Sequence, residues 1–591
     1  MAIDISQIKH FENLIDTALN PENCDLLIEG NLVNVVTKEI YKAVIGVKKR
    51  KIVFIGEKGE IDIEKLKKDK KTKKNKKIIK TENFLLPSFI DSHIHIESSM
   101  LTPSEFSKLC VVNGTCCVIA DPHEIANVLG IEGIRFMIHD SKNLPMEIYF
   151  MLPSCVPAAE NLETSEKITI ENLKILKGYQ QVKGLGELMN FQGVINKNEE
   201  ILKKIEAFFD DRLIDGHCPG LKGKNLNAYL LFAHSDHESI NYEEAIEKLR
   251  KGAFLMIREG SSAKNLNIIK DFLKNKISFY NVSFVTDDIH ADDLKNGHLN
   301  LILRNAVKEG MDEIDAIRCV TLNPARYFNL ENLGEISIGK DANITIVDNL
   351  KNFNVKKVIF RGKVVAENGK FIFRIKEKKT KKFKLNIMNV KEISENDLKI
   401  SVNEDKKYKV RVIEAINDQL YTKEKIFELE SKDKTLQCDL EKDIIKICVV
   451  DRHTGKNLSV GFITGFGIKN GSIAQTIAHD SHNIIAIGAD DKSILKAINE
   501  LKNIGGGIVV VNNEKNEIYS LTLPIAGLMN KNSKHVIEKL EILNEKVKEI
   551  GCKISSPFTT LSFMALPVIP ELKITDKGIV KNFEFVNLIV E

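Results

Sequence analysis

The strongest constraint on the fold is a regular alternation in the first half of the chain. From Phe84 onward, apolar runs of strand length alternate with stretches in which apolar residues recur at helical spacing. The eight apolar runs are 84–91, 116–120, 147–152, 182–188, 212–216, 230–234, 253–257 and 281–286. The helical patterns between them include 103–112, 126–139, 197–208, 243–250 and 262–275. Eight strands, each followed by a helix, predict a (β/α)8 barrel over residues 84–333.

Two stretches of strand-like sequence flank the predicted barrel. Residues 25–58 and 334–365 both contain short apolar runs broken by turn residues. We therefore expect the N-terminal segment 1–83 and the post-barrel segment 334–383 to form one small β-domain, with a basic linker over 366–383.

The last third of the chain predicts a separate C-terminal α/β domain over residues 384–591. The expected strands are 444–450, 484–488 and 507–512, and the expected helices are 491–503 and 533–549. Three glycines at 505–507 precede an apolar run instead of following one, which is the wrong order for a dinucleotide-binding loop.

Charge and cysteine content narrow the function classes. The net charge is +4, yet the segment 65–80 alone carries ten Lys and one Asp, so the rest of the chain is net negative. We interpret 65–80 as a solvated loop, and its lack of aromatic residues argues against a nucleic-acid-binding or surface-binding protein. The ten cysteines form no CxxC motif, and neither a signal peptide nor a membrane-spanning run is visible. These features predict a cytoplasmic protein with no nucleic-acid or membrane partner.

Polar clusters follow the ends of the predicted strands, where barrel enzymes build their active sites. His93 and His95 end the first run, and residues two apart on a strand face the same side. We expect both imidazoles to chelate one metal ion; the alternative is a pair of hydrogen-bonded or surface histidines. Glu187 ends the fourth run, where a carboxylate can bridge two cations. We favour a bridging ligand or catalytic carboxylate; the alternative is a buried ion pair or a helix-capping carboxylate.

The fifth and sixth strands supply further candidate ligands. His217 ends the fifth run, and four eligible side chains surround the end of the sixth: His234, Asp236, His237 and Glu238. We assign His237 as a metal ligand and Glu238 as the group that moves protons.

Two adjacent aspartates end the eighth run. We expect Asp287 to bind metal and accept a proton, because it lies closer to the strand. One of the pair Asp287 and Asp288 would then be free to cap the following helix.

The second and seventh strands end in candidates for substrate binding or for supporting the ligands. Asp121, His123 and Glu124 follow the second strand, and a turn that starts a helix explains them equally well. Arg258 ends the seventh strand, where it would orient substrate or pair with Glu259; we favour the pair.

The second domain contains one further cluster, His479-Asp480-Ser481-His482. A hydrogen-bonded turn is the favoured interpretation, and a metal site is an alternative. We also keep the hypothesis that this cluster closes the barrel mouth.

Ten segments resemble the adenine deaminases of bacteria and archaea, in the amidohydrolase superfamily. In the barrel they are PSFIDSHIHIESSMLTPSEF, IADPHEIANVLG, GELMNFQGVI, DGHCPGLKGKNLNAYL, SDHES, MIREGSSAKNL and FVTDDIHADDL. In the C-terminal domain they are AHDSHNIIAIGADD, LTLPIAGLMN and SPFTTLSFMALPVIPELKITDKG. These segments occur in the same order as in that family and extend along nearly the whole chain. Only the segment 65–80 and parts of 366–435 lie outside the motifs.

The resemblance implies a barrel of amidohydrolase type that hydrolyses adenine to hypoxanthine and ammonia, in purine salvage. It implies two divalent metal ions, with Mn²⁺ expected and Fe²⁺ or Zn²⁺ as alternatives, and a homo-oligomer. The implied metal ligands are His93, His95, Glu187, His217, His237 and Asp287. Glu187 stands where many amidohydrolases carry a carboxylated lysine, so no modified lysine is expected. The alternative is a related amidohydrolase acting on a cyclic amide or another nucleobase; Glu187 argues against the cyclic amidases, several of which have Lys on the fourth strand.

Overall fold

The computed structural model describes residues 5–57, 59–61, 63, 66, 77–261, 263–376, 383–417 and 419–590. Most of the predicted loop 65–80 lies outside these residues. Its last four residues do not belong to a loop, because they begin the strand Lys77–Pro87.

The barrel has the eight parallel strands that the alternation predicts. They are Phe89–Ile94, Thr115–Ala120, Glu147–Leu152, Val182–Leu185, Leu213–Ile214, Ser235–Asp236, Phe254–Arg258 and Val282–Val285. The first five pair in chain order, as do the last three. A parallel bridge between Ile94 and Asp287 joins the eighth strand to the first. The first two strands are buried throughout, as parallel strands covered on both faces should be.

The barrel helices lie between and after these strands. They are Pro103–Val112, His123–Asp140, Ile170–Lys177, Phe191–Ile195, Glu199–Phe209, Gly223–Leu230, Tyr242–Arg250, Ile268–Lys274, Ala291–Leu294, Leu299–Lys308, Glu313–Cys319 and Leu322–Tyr327. Asparagine side chains cap several N-termini; Asn198 accepts from Ile201 N, for example.

Three of the predicted boundaries differ from the structure in ways that change which element the residues belong to or where it begins. The run 84–91 divides, since residues up to Pro87 pair in the small β-domain and the barrel strand starts at Phe89. In the run 230–234, Leu230 is the last residue of a helix and the next residues form a turn, so the sixth strand is Ser235–Asp236. Short apolar runs do not distinguish strand from helix, which explains that error. The predicted helix 262–275 begins only at Ile268.

The two flanking stretches form one eight-stranded sheet, as expected. Its strands are Leu26–Asn34, Glu39–Lys48, Lys51–Glu57, Lys77–Pro87, Ile344–Val347, Val355–Phe360, Lys363–Glu367 and Lys370–Phe371. The join is antiparallel pairing of Ile344–Val347 with the end of Lys77–Pro87. The predicted linker 366–383 therefore contributes strand residues up to Phe371, and residues 377–382 lie outside the described part of the chain. A helix, Ile5–Leu19, precedes this sheet.

The C-terminal domain is built on a nine-stranded mixed sheet. Its strands are Lys407–Ala415, Thr422–Lys432, Thr435–Leu436, Ile445–Val450, Leu458–Thr464, Ser472–Gln475, Ile484–Gly488, Gly507–Asn512 and Glu517–Thr522. The helices are Asp491–Ile504, Ser533–Glu549 and Pro557–Ser562, and a small sheet adds Leu572–Thr575, Gly578–Lys581 and Glu584–Phe585. All three predicted strands and both predicted helices are present.

This domain docks against the barrel through specific contacts. Asn530 N donates to Met100 O at 2.9 Å, and Thr164 donates to Asp576 through its backbone N at 3.0 Å and its hydroxyl at 2.6 Å. Both barrel residues follow strand ends, so the C-terminal domain covers the face on which the predicted site lies. Within the described residues, every helix is too short or too polar to cross a bilayer.

Candidate metal centre

The ends of the first and eighth strands hold three candidate ligands rigidly. His95 N donates to Asp287 O at 2.9 Å, and Asp287 N donates to His93 O at 3.1 Å. This backbone pairing brings Asp287 Oδ1 to 3.1 Å from His95 Nε2 and 3.4 Å from His93 Nε2. Asp287 has a φ of +58°, a left-handed conformation that aspartate tolerates better than most residues.

Glu187 lies between two groups of histidines. Its Oε1 is 2.8 Å from His95 Nε2 and 3.2 Å from His93 Nε2. Its Oε2 is 3.0 Å from His217 Nδ1 and 3.7 Å from His237 Nε2. Each oxygen of this carboxylate therefore faces its own pair of imidazoles, which is the arrangement that a ligand bridging two cations requires.

Acceptors at the Nδ1 side of the rings orient the first pair of imidazoles, His93 and His95. His93 Nδ1 lies 3.2 Å from Asp215 Oδ2, and His95 Nδ1 lies 2.9 Å from Asp121 O. Both partners are acceptors, so the ring protons reside on Nδ1 and the Nε2 lone pairs face the centre. Asp215 was not among the predicted site residues, although its place at a strand end, two residues before His217, was a usable signal.

The donor atoms fit divalent cations. With its proton on Nδ1, His93 presents a lone pair to the carboxylate of Glu187, and neither His93 Nε2 nor Glu187 Oε1 has a hydrogen-bond partner among the described residues. Two buried acceptors at 3.2 Å repel each other unless a metal ion or a proton lies between them. Imidazoles with carboxylates suit first-row divalent metals. The residues that could hold them are His93, His95, Glu187 and Asp287 on one side, and Glu187, His217 and His237 on the other.

The site keeps its carboxylates ionised despite burial. Burial alone would raise the pKa of Glu187, but the surrounding histidines, His95 foremost, outweigh it and hold the pKa well below its usual range. Burial also opposes ionisation of Asp287, and the Arg258 guanidinium above all depresses its pKa. Both side chains are therefore available as anionic ligands near neutral pH.

Arg258 contacts three carboxylates, and its predicted pairing with Glu259 is wrong. Its Nη1 lies 2.8 Å from Glu238 Oε1 and 2.5 Å from Asp287 Oδ2, while its Nη2 lies 2.8 Å from Asp288 Oδ2. Glu259 instead accepts from Leu266 N at 3.3 Å. Consecutive strand residues point to opposite faces, so Arg258 and its sequence neighbour cannot both point into the mouth.

The four candidate side chains of the sixth strand take up different positions. Glu238 Oε1 lies 3.4 Å from His237 Nε2 and 3.8 Å from His217 Nδ1, so it borders the ligand cluster. Asp236 is 2.7 Å from the buried Lys248 Nζ, and His234 is exposed. Neither of these two side chains reaches the centre.

The two aspartates of the eighth strand also separate. Asp287 points into the ligand cluster, whereas Asp288 accepts from Ser98 Oγ and from Arg258. Asp288 therefore supports the network around the ligands.

The second-strand residues take up different positions. His123 Nδ1 is 3.8 Å from Glu187 Oε1 and 3.7 Å from Asp121 Oδ1, so it borders the cluster. Glu124 Oε1 lies 2.8 Å from Ser98 Oγ, and Glu124 is farther from the cluster. A side chain at Gly186 would place its Cβ 2.0 Å from Asp121 Oδ2, so only glycine lets these strand ends approach.

The cluster in the second domain lies at the barrel mouth, as one of our interpretations expected. Asp480 Oδ1 is 3.9 Å from His123 Nε2, and His482 Nε2 is 3.8 Å from Glu124 Oε2. Ala478 N donates to His482 Nδ1 at 3.3 Å, which leaves the ring proton on Nε2. That nitrogen is then a donor facing Glu124 and not a metal ligand, which argues against a third ion here.

These residues enclose a cavity between the two domains. The barrel contributes the metal-centre residues, Glu238 and Arg258, and the C-terminal domain contributes an apolar roof with His479 and Asp480. A polar floor under an apolar roof is typical of a small-molecule site.

Fold and site together define an amidohydrolase-type hydrolase. Residues 84–365 match the model of the amidohydrolase family, and residues 419–585 match that of the adenine deaminase C-terminal domain. Adenine deaminase of Thermosipho africanus is 42% identical over 98% of this chain and 99% of its own length. That of Methanocaldococcus jannaschii is 43% identical over 95% and 99%. The chain belongs to the adenine deaminase family.

Solved structures resemble the chain more distantly. The crystal structure of an adenine deaminase is 19% identical, with a TM-score of 0.45, and the match covers 58% of this chain and 100% of that one.

Proposed function

We propose that this protein hydrolyses adenine to hypoxanthine and ammonia. The single observation that carries the proposal is the position of Glu187, which offers one oxygen to each of two histidine pairs beside Asp287. The full-length similarity to curated adenine deaminases supports adenine as the substrate. The net reaction replaces the C6 amino group with oxygen from water and releases ammonia.

The chain's own residues account for the proton transfers. When bound, divalent cations lower the pKa of water from 15.7 to about 7 and so supply a nucleophile near neutral pH. Asp287 accepts the proton that the attacking water gives up. Glu238, as the carboxylic acid, delivers its proton to the ring nitrogen next to C6, which makes that carbon more electrophilic. It then takes the proton of the new C6 hydroxyl and passes it to the departing amine, and the proton held by Asp287 restores Glu238 to its acid form.

Arg258 positions both of these acid–base groups. Its Nη1 touches Glu238 Oε1 and Asp287 Oδ2, so one guanidinium sets the spacing between the base and the proton carrier. Since the side chain is only 4% exposed, these contacts are poorly screened by water.

The test is a substrate panel on the full-length protein reconstituted with Mn²⁺. Adenine, adenosine, guanine, cytosine and a hydantoin are each scored for released ammonia, and the purine products are identified by chromatography. We expect adenine to be the preferred substrate, with hypoxanthine formed in equal amount to ammonia. Preferential opening of the hydantoin, with adenine untouched, would instead support a cyclic amidase.

We further propose that the cations are two Mn²⁺ ions per chain. The mixed imidazole and carboxylate donors support a first-row divalent metal, and oxygen ligands favour manganese. Elemental analysis of protein purified without added metal tests this, and a single ion per chain would contradict it.

We also propose a homo-oligomer that resides in the cytoplasm. The exposed Ile8, Phe11, Ile15 and Leu19 on the helix Ile5–Leu19 support self-association with a second copy. No disulfide joins the ten cysteines within the described residues, which supports a reducing compartment. Light scattering measures the mass of the assembly, and fractionation of the source cells locates it.

A further inference from the structure

The roof of the cavity comes entirely from the C-terminal domain. Its apolar side chains are Leu420, Phe563, Leu566, Val568 and Ile569, and they face the metal-centre residues across the cavity. These residues come from segments almost 150 positions apart in the chain, so the roof exists only when the C-terminal domain is folded.

The roof is held in place by buried contacts. Lys573, 1% exposed, donates from Nζ to Leu420 O at 2.6 Å and to Phe563 O at 3.0 Å. The ring of His479 stacks on Phe563, with centroids 5.0 Å apart and planes inclined by 19°. A buried lysine that ties the two segments together makes this a fixed surface.

Asp480 lines the cavity and carries an unsatisfied acceptor. It is 5% exposed, and its Oδ2 has no hydrogen-bond partner among the described residues. Its Oδ1 is 3.7 Å from His479 Nδ1 and 3.9 Å from His123 Nε2, too far for a hydrogen bond with either. A buried carboxylate oxygen without a donor is costly, which points to a ligand that donates there.

The proposed substrate has the matching donor. Neutral adenine is a flat ring with a single ring N–H, on its five-membered ring, while the reacting C6 lies on the six-membered ring. We propose that the C-terminal domain forms half of the base-binding site, with Asp480 accepting the N–H of the five-membered ring beneath the apolar roof. This inference rests on the proposed function and identifies how the base is oriented.

The experiment compares adenine with 9-methyladenine, which keeps the C6 amino group but has no ring N–H. Both are assayed with the full-length Mn²⁺-loaded wild type, Asp480→Ala and Asp480→Asn. In Asp480→Ala we expect KM for adenine to rise about 10- to 100-fold, with kcat within about threefold of wild type. The preference for adenine over 9-methyladenine should fall by the same factor. Asp480→Asn keeps an acceptor oxygen, so its KM and its preference should lie between those of the wild type and Asp480→Ala.

Two readouts do not depend on turnover. Calorimetric binding of hypoxanthine, which keeps the ring N–H, should weaken in Asp480→Ala, while elemental analysis should show unchanged metal content. Glu163→Gln is the matched control, since Glu163 is a buried carboxyl near Asp480 that does not line the cavity. It should retain wild-type discrimination and hypoxanthine affinity.

An unchanged preference for adenine in folded, metal-loaded Asp480→Ala would overturn the inference. If that variant fails to fold, Val568→Phe, which fills the roof from another segment, replaces it: weaker hypoxanthine binding supports the inference and unchanged binding overturns it. A wild type that binds hypoxanthine but does not deaminate adenine would refute the proposed function alone.

Discussion

Replacing Arg258 tests the acidic network at the heart of the site. Arg258→Met keeps much of the side-chain volume but removes the charge that three carboxylates share: Glu238, Asp287 and Asp288. At 2.8 Å, and with an effective dielectric constant near 20, each contact has a gross attraction of about 6 kcal/mol. Most of this is offset by desolvation, and breaking a buried pair by removing one partner typically costs about 3–5 kcal/mol.

The expected outcome has a thermal and a kinetic part. A loss of about 3–5 kcal/mol corresponds to a fall of roughly 6–20 °C in the unfolding midpoint of a barrel of this size. Because Glu238 and Asp287 lose their common anchor, kcat for adenine should fall by at least about 100-fold. Scanning calorimetry and an ammonia-release assay measure the two effects, with metal content determined on the same samples.

The neighbouring residue provides the control. Glu259→Gln preserves the acceptor for Leu266 N and should leave both midpoint and kcat close to wild type. If Arg258→Met melted and turned over like the wild type, or if Glu259→Gln were the more damaging change, the network described here would be refuted.

Three further predictions concern single side chains. His93→Asn should lose metal and turnover while keeping most of the fold; full activity in a metal-analysed sample would contradict its assignment. Glu238→Gln should keep its metal, measured by elemental analysis, but have a lower kcat. Loss of metal would instead mean that Glu238 is the ligand and His237 the proton carrier. Burial and the nearby charge of Asp480 raise the pKa of Glu163 to about 8. Between pH 5 and pH 8 the Glu163 carboxyl therefore keeps a proton in the folded state that it has lost in the unfolded state. Wild-type stability relative to Glu163→Gln should therefore fall by up to about 1.4 kcal/mol per pH unit from pH 5 to pH 8, as followed by melting midpoints, and a flat difference would count against it.

The parts of the site that could be predicted from the sequence are those fixed by local geometry. His93 and His95 are two residues apart at the end of a buried strand, so their shared direction follows from the strand's period of two. Glu187, His217 and Asp287 likewise follow strand ends, and a parallel barrel brings all such ends to one face. The prediction of convergence needed no knowledge of which strands were neighbours.

The contacts that orient these ligands could not be predicted in the same way. His93 and Asp215 are 122 positions apart, and Asp288 and Ser98 are 190 apart. The strand-end position of Asp215 marks it as a site candidate, but nothing in the local sequence identifies His93 as its partner. The most local choice for Arg258, its neighbour Glu259, was wrong. Long-range hydrogen bonds depend on which side chains the closed barrel brings opposite each other.

Charge balance explains why these residues belong together. Four carboxylates of the barrel, Glu187, Glu238, Asp287 and Asp288, lie near the guanidinium of Arg258. Buried charge on this scale must be compensated. Without cations, protons are the remaining source: burial lowers the pKa of a histidine such as His93, but the surrounding carboxylates, Asp215 first, outweigh it and raise that pKa. Metal ions and protons thus compete for the same lone pairs, so binding of two divalent cations must release protons and becomes weaker as the pH falls.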